Sequence, residues 1–260
     1  VLDHIVVEHD AVTGPRLKRY SHAADVDYWT QLWEAAQSVS YARELRGHLP
    51  HQLRGTFARW VERGARVLEA GCGLGHFTVA ATALGFAAQG LDWSEPTIKR
   101  LRQQFPSIPW RVGDVRDLPF GAGSFDAVYS PGVCEHFEEG PVEVLGETHR
   151  VLRPGGIAII STPCFNSWLE RRASAFGTKP ESSESAFFEY AFTPEGLAGA
   201  LRHIGFDIVT IRPYAVLDTL VRFGNWRVPR LLNLPLGYGM DYVPVVRNWG
   251  STCLWVARKT

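Results

Sequence analysis

The sequence is poor in the features that mark a metal centre, a disulfide framework or a nucleic-acid ligand. Its four cysteines, Cys72, Cys134, Cys164 and Cys253, are scattered, and no two form a C-x-x-C pair. That spacing argues against both a disulfide scaffold and a zinc site, and it suits a reducing compartment. His48-Leu49-Pro50-His51 has a ligand-like spacing, but the interposed proline and the lack of nearby partners make it a surface turn. Charge of one sign is also lacking: 27 Lys+Arg balance 27 Asp+Glu, so the formal net charge is zero. A chain that grips phosphates usually carries a basic excess, so nucleic acid is not the expected partner. No apolar run is long enough to span a bilayer, and the first ten residues, VLDHIVVEHD, are acidic and do not read as a signal peptide. A cytoplasmic protein is expected. No internal repeat is present, which excludes a solenoid.

What the sequence does have is the balance of a globular chain: 260 residues, 45% hydrophobic and 21% charged. Through its middle, short apolar runs alternate with amphipathic stretches, the pattern of a parallel sheet wound on both faces. Arg66 to Ala70 reads as a first strand, His76 to Leu84 as a helix stopped by Gly85, and Ala87 to Asp92 as a second strand. Ser94-Glu95-Pro96 opens a helix with an N-cap serine and an early proline. Pro109 to Gly113 and Phe125 to Ser130 follow as strands, then a helix from Pro141 to Leu152 and a buried strand from Ile157 to Ser161. Thr193-Pro194-Glu195 caps another helix before the strand Phe206 to Val209, and Thr252 to Ala257 is a last strand. Residues 1–60 read as a mostly helical lid with aromatics at Tyr28, Trp29, Trp33 and Tyr41, and residues 61–260 as the core. Two insertions interrupt that core: 166–192, with the polar run Glu181-Ser182-Ser183-Glu184-Ser185, and the proline- and aromatic-rich 213–250.

The stretch Val67 to Thr78, VLEAGCGLGHFT, places Gly71, Gly73 and Gly75 where a strand turns into a helix. Glycine lets the backbone bend there and approach a ligand closely, and the helix N-terminus behind it favours an anionic group. A dinucleotide fingerprint, G-x-G-x-x-G, would need glycine where this chain has His76. Asp92 ends the second strand, 21 residues beyond Gly71, and a carboxylate there can accept the ribose hydroxyls of either a dinucleotide or S-adenosylmethionine.

The later motifs separate the two. Gly113-Asp114-Val115-Arg116-Asp117-Leu118-Pro119-Phe120, Phe125 to Ser130, Gly132-Val133-Cys134-Glu135-His136-Phe137 and Arg150-Val151-Leu152-Arg153-Pro154-Gly155-Gly156 follow in order. With them the chain resembles the class I S-adenosylmethionine-dependent methyltransferases, in particular the branch acting on small molecules. The resemblance covers about residues 63–212, with the final strand fitting the family's extra antiparallel strand. It implies a Rossmann-like, doubly wound α/β sheet of seven strands, mostly parallel with the last antiparallel.

The resemblance also implies roles. Gly71, Cys72 and Gly73 would lie against the methionine part of the cofactor, and Glu69 would support its ammonium. Asp92 would take the ribose hydroxyls, Trp93 would cover adenine, Asp114 would bind the adenine amino group, and the Val115 N–H would lie beneath the ring. Ser130 would turn its carbonyl to the ammonium. Apart from the resemblance, the N-terminal aromatics suit either a lid, with Tyr28 and Trp29 reaching the cofactor, or a helical face packed onto the core. The competing readings, ranked below these roles, are a core tryptophan for Trp93 and the cap of the following turn for Asp114.

Methyl transfer needs an acceptor lone pair held in line with the C–S bond, and an alcohol or phenol gains from proton removal. His136 is the candidate base, because it follows the fourth strand and titrates near neutrality; it could instead only shape its loop or bind Glu135. Glu135, His76 and Tyr129 rank below it. Phe223, Trp226, Tyr238, Tyr242 and Trp249 suit either an apolar acceptor pocket or a homodimer interface. The fourth strand ends Ser130-Pro131-Gly132, without the motif associated with methylation of base amino groups. A small-molecule acceptor is therefore expected. Two competing readings are a nicotinamide-dependent oxidoreductase and a non-catalytic protein that binds the cofactor as a regulator.

Overall fold

The computed structural model describes residues 5–36, 40–172, 186–222 and 239–260. Its centre is a seven-stranded sheet built from β3 (Arg66–Ala70), β4 (Ala87–Asp92), β5 (Trp110–Val112), β6 (Phe125–Pro131), β7 (Leu152–Pro163), β9 (Phe206–Tyr214) and β10 (Thr252–Lys259). The spatial order is β5-β4-β3-β6-β7-β10-β9. From β5 to β7 every neighbouring pair is parallel, whereas β10 runs antiparallel to both β7 and β9. The expected seven-stranded sheet is therefore the one observed. Its order reverses between β3 and β6, and an open α/β sheet binds its ligands at the strand C-termini beside such a switch point.

The inner strands are hydrophobic on both faces because helices cover both. One layer of core groups Leu68, Val128, Ala158 and Trp255 with Leu145 and Leu201 of α5 (Val142–Val151) and α7 (Pro194–Ile204). The opposite layer groups Val67, Ile159 and Val256 with Phe57 and Phe77 of α2 (His51–Trp60) and α3 (His76–Ala83). Local signals fix the helix ends. Thr193 accepts from the Gly196 N–H at 3.0 Å to start α7, and Gly205, at φ +109°, ends it. Ser94 stands at the N-cap of α4 (Glu95–Gln104) as expected, but its hydroxyl bonds Thr97 and Thr30 rather than a backbone N–H.

The N-terminal region departs from the mostly helical reading. Ile5–Asp10 (β1) and Gly14–Ser21 (β2) form a hairpin, and only then does α1 (Val26–Ala35) begin. Ala186–Phe192 (β8), the end of the 166–192 insertion, pairs with β2 to complete a second, three-stranded antiparallel sheet. The inward side chains of β1 and β2, Ile5 and Leu17, pack on Phe165, Trp168 and Leu169, the last two from α6 (Ser167–Glu170). Three charged residues in Gly14–Ser21, Arg16, Lys18 and Arg19, masked the period-two pattern, and the partner strand lies some 170 residues away.

The later insertion also begins differently, since β9 continues to Tyr214 and α8 (Val216–Arg222) follows. Of its aromatics, Trp249 packs against the small core around Ile5, whereas Tyr242 is 62% exposed. Phe223, Trp226, Tyr238 and the run Glu181 to Ser185 lie outside the described residues. Among the described residues no helix is long and apolar enough to cross a membrane.

Candidate functional site

A cavity of about 490 Å³ opens over the C-terminal ends of β3, β4 and β6. That volume lies within the range of small-molecule and cofactor sites, about 300–1,000 Å³. Its floor is the turn after β3. The Gly71 and Cys72 N–H groups both donate to the Leu91 carbonyl at 2.8 Å, which clips the turn to β4. Gly71 and Gly73 adopt φ +80° and +47°, where a side chain is strained. The space their Cβ atoms would take is filled by Val133 and by the Trp33 ring. These glycines therefore let the side chains of the cavity wall come against the turn.

Two carboxylates stand at the strand tips. Asp92 is buried and accepts from the Gly73 N–H at 2.8 Å and the Ser94 N–H at 3.0 Å. Burial pushes its pKa up, against the lowering effect of those amides. Glu69 is also buried, and its Oε2 accepts from the Thr78 N–H and hydroxyl at 3.0 and 2.6 Å. Burial raises it to about 8, with the nearby Asp92 adding to the shift. Such a carboxyl is an incomplete ion pair, ready to ionise when a cation arrives.

Of the residues expected at the site, Trp29, Glu69, Gly71, Cys72, Gly73, Asp92, Trp93, Val115 and His136 line this one cavity. Trp93 lines the cavity and also packs on the core, meeting Phe137 edge-on, as its reading as a core tryptophan expects. Three others are placed outside the lining. Asp114 is held by Arg116, whose guanidinium donates to it at 2.7 Å; burial raises its pKa, but those bonds leave it net lowered. Ser130 donates its hydroxyl to the Ala70 carbonyl and ties β6 to β3. Tyr28 packs on His22, Trp29 and Phe188.

His136 lines the cavity just after β6, edge-on to Trp29 and Phe188. Its Nδ1 lies 2.8 Å from the Phe188 carbonyl. A carbonyl can only accept, so Nδ1 carries the proton and Nε2 keeps its lone pair. Burial lowers the pKa of His136 to about 4, so the ring is neutral at physiological pH. His76 also borders the cavity, but its Nδ1 faces Glu44 at 3.2 Å and its ring stacks on Tyr41. Tyr129 is buried on Phe57 and Phe77.

Further lining comes from Trp33, Val133, Glu135, Phe137 and Glu189. Glu135 adjoins His136 in sequence, but nothing local marks Glu189, which β8 brings in beside Arg19 at 3.0 Å. Among the described residues no cluster of three or more His, Cys, Asp or Glu side chains is arranged to hold a metal ion.

Residues 68–160 match the methyltransferase domain family. A probable S-adenosylmethionine-dependent methyltransferase of Mycolicibacterium smegmatis is 37% identical over 100 residues, 38% of each chain. A malonyl-[acyl-carrier protein] O-methyltransferase of Pectobacterium atrosepticum is 33% identical over 99 residues, 38% of this chain and 39% of that one. The chain thus spans about two fifths of the length of these relatives. In structure it is similar to the 1,6-didemethyltoxoflavin-N1-methyltransferase of Burkholderia thailandensis, solved with S-adenosylhomocysteine. That likeness has a TM-score of 0.58 and 20% identity, over 98% of this chain and 99% of the other, and it establishes a shared fold.

Proposed function

We propose that this chain, whose residues 68–160 form a class I S-adenosylmethionine-dependent methyltransferase domain, transfers the cofactor's methyl group to an oxygen or nitrogen of a small-molecule acceptor. One observation carries the reading: two buried carboxylates at adjacent strand tips, Glu69 and Asp92, line one cavity together with a neutral histidine.

S-adenosylmethionine supplies an electrophilic methyl on a sulfonium. The free lone pairs of Asp92 accept the ribose hydroxyls while its other contacts hold the glycine turn in shape. Glu69 ionises against the ammonium, and the Ser130 carbonyl assists it. Gly71, Cys72 and Gly73 lie along the methionine part. Trp93 and the Val115 N–H flank the adenine, and Asp114 meets its amino group by sharing the carboxylate that Arg116 now holds. Trp29, with Tyr28 behind it, closes the cofactor side as part of an N-terminal lid.

His136 orients the acceptor. Its Nε2 would accept a hydrogen bond from the acceptor's O–H or N–H, aim the remaining lone pair at the methyl carbon, and take the proton as the acceptor–methyl bond replaces the methyl–sulfur bond, whose electron pair stays on the departing sulfur. A group that titrates at about 4 is a weak base, so alignment supplies more of its effect than proton affinity does. The relatives' names do not fix the acceptor atom, since one specifies O-methylation and another N1-methylation.

Titration calorimetry with S-adenosylmethionine and NAD tests the cofactor, and saturable binding of the first alone is expected. Binding of NAD without S-adenosylmethionine would overturn the proposal. A metabolite-extract screen, read by the mass gain of one methyl group, then identifies the acceptor. Transfer only to protein or nucleic acid would reject the small-molecule part.

A further inference from the structure

The cavity holds one polar group that neither the fold nor the cofactor reading accounts for. Glu135 is 1% exposed, yet it belongs to the cavity lining beside His136. Its carboxyl faces the Val133 and Glu135 backbone amides, and its Oε2 is buried with no hydrogen-bond partner. A carboxyl oxygen in that position costs stability unless something donates to it. Its neighbours on the same wall do have partners: His136 is bonded to the Phe188 carbonyl, and Glu189 to Arg19.

The rest of the lining sets the charge of what can fill the gap. Glu69, Asp92, Glu135 and Glu189 are all acids, and none of the described lining residues is lysine or arginine. An acceptor carrying a carboxylate or phosphate would bury its charge without a counter-ion there, which is the costliest arrangement for an anion. A group bearing N–H bonds meets the opposite situation. It supplies the donor Glu135 lacks; burial pushes the Glu135 carboxyl towards its neutral form, so a protonated amine is matched as that carboxyl ionises against it, and the aromatic wall of Trp29 accommodates a cation.

We propose that Glu135 binds the methyl acceptor through its unpartnered carboxyl oxygen, and that the acceptor is an amine rather than a carboxylate or phosphate. The proposal rests on the methyltransfer reading and narrows its acceptor class. Glu135 anchors the N–H group, and His136, one residue on, lies beside it.

Benzylamine, benzyl alcohol and benzoate form a matched set of probes for calorimetric titration of the protein saturated with S-adenosylhomocysteine. Benzylamine is expected to bind at least about tenfold tighter than benzoate, with benzyl alcohol between them. Glu135→Gln should bring the amine-to-benzoate ratio close to one while leaving S-adenosylhomocysteine affinity within about twofold. Benzoate binding as tightly as benzylamine, binding of neither probe, or a Glu135→Gln variant that keeps the full amine preference would each overturn the proposal. If S-adenosylhomocysteine itself fails to bind, the methyltransfer reading falls and takes this one with it; if it binds without amine preference, only this one falls.

Discussion

The Nδ1–H of His136 donates to the Phe188 carbonyl at 2.8 Å, across a separation of 52 residues, and this bond decides which nitrogen faces the cavity chemistry. The backbone acceptor comes from β8, so the second sheet orients the histidine that follows β6. Removing the ring should therefore affect turnover more than cofactor binding. His136→Ala is expected to lower kcat about 100-fold with S-adenosylmethionine Kd within about twofold. Steady-state kinetics beside calorimetry checks this, and unchanged kcat removes His136 from the reaction.

The same histidine makes the fold acid-sensitive. Its pKa is about 4 when folded, against 6.5 for an ordinary histidine, so the unfolded chain binds its proton first as pH falls. The stability that depends on its neutrality is fully present above about pH 6.5 and drains away towards pH 4. Thermal melts should show wild type losing Tm faster than His136→Gln between pH 7 and 5. Parallel curves would mean that the folded histidine titrates normally.

Glu69 predicts a proton count. At a pKa of about 8 it is mostly protonated at pH 7 in the free protein. An ammonium placed against it favours the carboxylate, so cofactor binding should release about one proton at that pH. Calorimetry in phosphate and Tris, whose ionisation enthalpies differ, measures the number directly. Equal observed enthalpies in both buffers would show that Glu69 does not meet a cation. In Glu69→Gln the release should vanish and affinity should fall about tenfold.

Asp92 has two jobs, and its variants should separate them. Asp92→Ala removes the acceptor of the Gly73 and Ser94 amides, together with the proposed ribose contacts. Cofactor affinity should drop by about 2–3 kcal/mol and Tm should fall as well. Asp92→Asn keeps an acceptor oxygen for one amide, so it should recover part of the Tm while affinity stays weak. Equal recovery of both would assign Asp92 a purely structural role.

Gly71→Ala tests the turn. The substitution strains a φ of +80° and drives a methyl into Val133. Destabilisation of about 1–3 kcal/mol is expected by denaturant titration. Adding Val133→Ala should return the steric part only, because the backbone strain remains. Full rescue would place the whole cost in the contact.

Much of the fold was legible along the chain, because its signals are local. The run from Val67 to Thr78, the acid at Asp92 and the Arg150 to Gly156 turn each occupy one strand end or one loop. Glu69, Gly71, Gly73, Asp92 and Trp93 gather at one place because β3 and β4 are neighbouring parallel strands whose C-termini share an edge. What the sequence alone determined is the half of the cavity proposed to hold the cofactor, since a parallel sheet sends consecutive strand tips to the same side. Only the tertiary structure decided the half proposed to hold the acceptor. The hairpin of β1 and β2 pairs with β8 across more than 160 residues, and that pairing carries Phe188 to His136 and Glu189 to the cavity wall. Likewise, the local sequence gave no sign that Arg116 would hold the Asp114 carboxylate or that Glu135 would lack a partner. Long-range strand pairing and burial have no short-range signature, so who faces the methyl group is decided only when the chain closes on itself.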